Sequence, residues 1–152
     1  MTKLLVVCLG MILTLPVNET FNLAERVGNV PRAFFRFQTS VAKYTIRYDG
    51  FVEVYLGREM NELRKRSFLL KTEGKGRLER VYFLDHDGDL FLQYDLIGGG
   101  SYLARINQRH RRQIWVTALS NTPSEVPMIL GDRVLLGSIE IDKSTGKILS
   151  QD

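Results

Sequence analysis

The sequence predicts an all-β chain, a single small antiparallel β-barrel or β-sandwich meander of about eight strands. Three observations predict it. From Phe34 onward, apolar residues recur at every second position over several runs. Those runs are punctuated by turn chemistry: Asp49-Gly50, Gly74-Lys75-Gly76, Asp87-Gly88, Gly98-Gly99-Gly100 and Ser144-Thr145-Gly146. No long stretch carries a 3.6-residue apolar period, an internal repeat or a low-complexity composition.

The chain opens on Met1-Thr2-Lys3 and an apolar run from Leu4 to Val17, broken only by Gly10, Thr14 and Pro16. A lone cation before a short apolar run is the layout of a secretory signal peptide. The run is shorter than the ~20 residues a spanning helix needs. The reading is a signal over residues 1–24, with its cleavage point between Val17 and Glu25, and a single β domain over residues 25–152. Such a protein is secreted, periplasmic or held in the cell envelope. Cys8, the only cysteine, belongs to the leader, so the remaining domain would have no thiol. That excludes cysteine nucleophiles, cysteine-ligated zinc and thiol redox chemistry from it. Lys3 and Glu19 cancel, so the formal charge of +4 is the same with or without the leader. That excess mildly favours anionic partners and is too small for a committed nucleic-acid binder.

The strands follow in order. Ala42, Tyr44, Ile46 and Tyr48 alternate with Val41, Lys43, Thr45 and Arg47, and Val52, Val54 and Leu56 alternate with Phe51, Glu53 and Tyr55. A three-residue loop, Tyr48-Asp49-Gly50, joins these runs so that Ile46 faces Val52, Tyr44 faces Val54, Ala42 faces Leu56 and Thr45 faces Glu53. A slip of one residue would turn every side chain to the wrong face. Arg58–Arg66 reads as one short helix, with Met60 and Leu63 three apart and Arg64-Lys65-Arg66 at its end. Strands are then expected at Ser67–Thr72, Leu78–Asp85, Leu90–Leu96, Ser101–Ile106, Gln113–Leu119, Arg133–Asp142 and Lys147–Leu149. In the second hairpin a three-residue loop would oppose Asp85 and Asp89, an unfavourable pair of like charges. The preferred register sets Val81 against Tyr94, Phe83 against Leu92, Asp85 against Leu90 and Arg80 against Asp95. The expected core contains Tyr44, Ile46, Val52, Val54, Phe83, Leu90, Leu92, Trp115 and Val134. The segment from Pro123 to Pro127 is the one longer connection.

Two constellations suggest chemistry. Asp85, Asp87 and Asp89 stand at alternate positions with Gly88 between them, a set that could ligate calcium, or serve simply as an acidic hairpin tip. The run departs from an EF-hand loop, with Leu90 where glycine is required and Leu96 where glutamate is required. Arg105, Arg109, His110, Arg111 and Arg112 form a basic patch with no acid between Ser101 and Val116, and Trp115 lies beside it. Arginines with an aromatic neighbour suit an anionic partner, though charged residues also guard β-edges and turns. Arg64-Lys65-Arg66, Arg77 and Arg80 form a second basic group. The loop Gly98–Ser101 lacks the strand–helix setting of a nucleophile elbow. His86 and His110 have neither a metal-pair spacing nor a zincin motif.

The function these features support is an exported binding or interaction module with a basic surface for an anionic partner. An anionic glycan, a lipid headgroup or an acidic envelope protein fits better than nucleic acid. No cofactor is implied. Two other roles remain open: a carbohydrate-active hydrolase using a carboxylate pair drawn from Asp85, Asp87, Asp89, Glu53 and Glu140, and a carrier of a small apolar ligand inside a closed barrel.

Overall fold

A computed structural model describes residues 20–28, 34–57, 62–70, 76–98, 100–120 and 127–151. The leader through residue 19, the start of the expected helix at 58–61 and most of the Pro123–Pro127 connection lie outside the described residues. The described chain is all-β, with fourteen strands in three antiparallel sheets. These strands do not close into a barrel.

The central sheet is ordered β1-β7-β8-β9-β10, from β1 (Thr20–Leu23), β7 (Leu78–His86), β8 (Asp89–Leu96), β9 (Ser101–Asn107) and β10 (Arg112–Leu119). One outer sheet runs in sequence order through β2 (Glu25–Val27), β3 (Phe34–Gln38), β4 (Ala42–Arg47), β5 (Phe51–Leu56) and β6 (Lys65–Leu69). The other outer sheet holds β11 (Met128–Leu130), β12 (Arg133–Leu136), β13 (Ile139–Asp142) and β14 (Ile148–Gln151).

Two separate cores hold the sheets together. One face of the central sheet contributes Val81, Phe83, Leu90, Leu92, Tyr94 and Ile106 to a cluster with Phe35, Tyr44, Ile46, Val52 and Val54 of the first outer sheet. Phe37 stacks on both Tyr44 and Phe83, at 4.8 and 4.3 Å between ring centroids. The opposite face contributes Leu84, Phe91, Leu103, Trp115 and Leu119 to a cluster with Val134, Leu136, Ile139 and Ile141 of the second outer sheet. Every expected core residue is buried, but they divide between two cores.

This layering changes the reading of Leu90–Leu96. Its alternation predicts a half-buried strand, yet Leu90 through Leu96 are all buried. The period is real; the second face is simply covered too. Gln93 and Asp95 are therefore buried polar residues.

Both argued registers are present. Ile46 pairs with Val52, Tyr44 with Val54 and Ala42 with Leu56. Val81 pairs with Tyr94, Phe83 with Leu92 and Asp85 with Leu90, around a two-residue Asp87-Gly88 turn. Both turn residues have positive φ, 48° and 78°, which matches the twist of the flanking strands. Arg80 reaches the Asp95 carboxylate at 3.6 Å.

Other expectations need correction. Arg133–Asp142 is a hairpin rather than one strand: it turns at Gly137-Ser138, and Leu136 pairs with Ile139. Among the described residues of the expected helix, only Glu62–Arg64 is helical, as a single 3-10 turn, and Lys65 already pairs with Tyr55 in the sheet. A helix of that length is marginal alone, and ladder pairing along β5 takes its last residues. Leu63 points outward and is 94% exposed. Short strands at Thr20–Leu23, Glu25–Val27 and Met128–Leu130 raise the number beyond about eight. β1 lies before the expected domain start at Glu25; it pairs along β7, and Ala24 is buried in the first core.

Candidate anion-binding cleft

The four-residue turn between β9 and β10 spans Gln108 to Arg111, with Asn107 pairing to Arg112. Its first residue points inward. Gln108 is fully buried, and its backbone N–H donates to the Gly88 carbonyl at 3.2 Å. Its amide Nε2 donates to Asp85 Oδ1 at 2.8 Å. Its Oε1 accepts from the Thr39 hydroxyl at 2.5 Å and from the Tyr44 phenol at 3.0 Å. Asp85 Oδ2 accepts from the Ser40 N–H at 2.7 Å. Buried polar groups are tolerated only when bonded in this way. The network joins the β3–β4 turn of the outer sheet to both hairpin ends of the central sheet. Burial first, then the nearby Asp85 and Asp89 carboxylates, pushes the Tyr44 phenol well above its ordinary pKa.

The remaining turn residues project outward. His110 N–H donates to the Asn107 side chain at 2.8 Å, which closes the turn. Arg111 adopts φ 52°, a left-handed conformation that costs a side-chain-bearing residue and suits Gly or Asn. Its Nη1 donates to the Arg64 carbonyl at 2.7 Å, just before β6 of the outer sheet. That bond brings the two basic groups of the sequence together. Arg66, Arg109, His110, Arg111 and Arg112 line one cleft of about 280 Å³. Among the described residues no carboxylate lines it. The Arg111 Nε is buried and makes no hydrogen bond. Several guanidiniums lining one cleft suit an oxyanion, which accepts charge-assisted bonds from several directions.

Arg105 and Trp115 sit elsewhere. Arg105 donates through Nε and Nη2 to Asp89 Oδ2, at 2.9 and 2.5 Å, and through Nη1 to the Lys143 carbonyl at 2.7 Å. Trp115 Nε1 donates to the same carbonyl at 2.9 Å. Both residues tie the central sheet to the β13–β14 turn. Arg109, His110, Arg111 and Arg112 are brought together, and Arg66 joins them from another sheet. Arg66 was visible only as part of the second basic group. Gln108 carried no signal, since a glutamine in a polar turn looks solvated.

The three aspartates of the suggested calcium loop point to different partners. Asp85 is held inside by Gln108 and Ser40, Asp89 by Arg105, and Asp87 is exposed beside the His86 imidazole at 3.4 Å. Among the described residues no three His, Cys, Asp or Glu side chains gather to hold a metal ion. Glu53 pairs with Lys65 and Glu140 with Arg133. No protein-family model, curated protein or solved structure matches this chain.

Proposed function

We propose that this protein is a binding module that works outside the cytosol and holds an anionic partner in the arginine cleft. The observation that carries the reading is that four arginines and a histidine, from two sheets, line one cleft. Clustered charge of one sign raises the local potential and concentrates counter-charged ligands. The apolar leader at Leu4–Val17 supports the location.

Retention on a sulfated-polysaccharide resin tests the binding. The protein should elute at a salt concentration that falls by at least a third in Arg109→Ala/Arg112→Ala, because screening and charge removal act on the same attraction. Both side chains are exposed, so the fold should be untouched. Retention indifferent to the double variant, or to salt, would remove the cleft as the site. Fractionation of producing cells tests the location: a full-length chain confined to the cytosol would remove that half of the proposal.

A further inference from the structure

We propose that the cleft is built for a phosphate monoester group, with Arg111 as the residue that selects it. The proposal rests on the cleft being the anion site, and goes further by naming the group it takes. Three observations carry it. The donors come from separate elements, Arg66 from β6 and Arg109 to Arg112 from the β9–β10 turn, so they approach from more than one side. A planar carboxylate is satisfied by a single guanidinium fork, whereas a terminal phosphate offers three oxygens in three directions and a second negative charge. Arg111 lines the cleft and is held in place by the bond from its Nη1 to the Arg64 carbonyl, so its guanidinium is fixed before a ligand arrives. Its left-handed backbone points the same way, since such strain gathers at ligand-binding positions.

Calorimetric titration of the full chain at fixed ionic strength tests this, using glycerol phosphate, methyl sulfate and glutarate as probes. Glycerol phosphate should bind at least tenfold more tightly than either of the others and should raise the melting temperature. Arg111→Lys keeps the charge and loses the fixed planar fork; it should erase most of that preference. Arg66→Ala, at an exposed position in the other sheet, should weaken glycerol phosphate severalfold without changing the melting temperature of the free protein. Phosphatidylcholine vesicles with and without phosphatidic acid separate a soluble ester from a lipid headgroup. Co-sedimentation with the phosphatidic-acid vesicles alone would assign the same group to a membrane surface. Equal affinity for glutarate and glycerol phosphate, or a preference that survives Arg111→Lys, would overturn the proposal. If salt-dependent retention on the polysaccharide resin persists in that case, the broader anion-binding reading stands without it.

Discussion

Gln108 is a turn residue with no exposed surface. Its side chain satisfies the Thr39 and Tyr44 hydroxyls and donates to Asp85. Gln108→Leu strips the Tyr44 hydroxyl of its bond and takes one bond each from Thr39 and Asp85, and should cost about 3 kcal/mol in urea denaturation. Gln108→Glu sets a second carboxylate against Asp85, so its loss should be larger at neutral than at acid pH. A Gln108→Leu protein as stable as the parent would show that the network does not anchor the turn. None of this was legible in the sequence, because burial at a turn depends on what another sheet brings over it. The arginines were legible as a run; their separation from Arg105 and Trp115 was not. β10 carries a register shift between Gln113 and Trp115, and strand pairing sends those two side chains to a different neighbour.

The β13–β14 connection shows how one turn holds two sheets. Asp142 Oδ1 accepts from the N–H groups of Ser144 and Thr145 and from the Thr145 hydroxyl. The bonds from Thr145 lead in holding the Asp142 carboxyl below its ordinary pKa. Its contribution is therefore whole above that ordinary value and is lost as pH falls through the lowered one. The turn so formed offers the Lys143 carbonyl to Arg105 and Trp115, and the Gly146 carbonyl to the Thr117 hydroxyl. Gly146 lies flat under the indole: a Cβ there would sit 2.5 Å from Trp115 Cδ2, and φ is +74°. Gly146→Ala should therefore destabilise by about 2 kcal/mol through crowding and backbone strain. Thermal melting followed by indole fluorescence checks it, and an unshifted midpoint would contradict the contact. The turn itself was readable from Ser144-Thr145-Gly146. Its role as the docking point for Trp115 was not, since 31 residues separate the tryptophan from the glycine it covers.

At the scale of the molecule, the central sheet is buried on both faces and carries the polar residues that join it to its neighbours. Two phenols, Tyr44 of the outer sheet and Tyr94 of the central one, are buried where they meet. Burial, then the Asp85 and Asp89 carboxylates, raises the pKa of Tyr44; burial, then Tyr102, raises that of Tyr94. A phenol whose folded pKa exceeds its unfolded value contributes fully below the ordinary pKa of 10. That contribution shrinks as pH climbs above 10 towards the folded value. Ultraviolet titration should show these two phenols ionising only together with unfolding, and the melting temperature should fall steeply above pH 10. A fully reversible titration of all six tyrosines with no loss of structure would contradict the burial.

The sequence by itself determined the strand class, the two hairpin registers and part of the core, from Tyr44 and Ile46 to Trp115 and Val134. Those follow from local rules: a period of two, turn residues that accept positive φ, and the penalty for opposing like charges. Only the tertiary structure decided that the sheets are three, that both faces of Leu90–Leu96 are covered, and that Arg66 meets Arg109 to Arg112. Alternation says which residues share a face but not whether anything lies against the other one. Arg66 and Arg109 lie far apart in the chain and meet only because two sheets are packed together. Gln108 is held inward by Asp85, Thr39 and Tyr44, while Arg109, His110 and Arg112 beyond it stay exposed at the cleft.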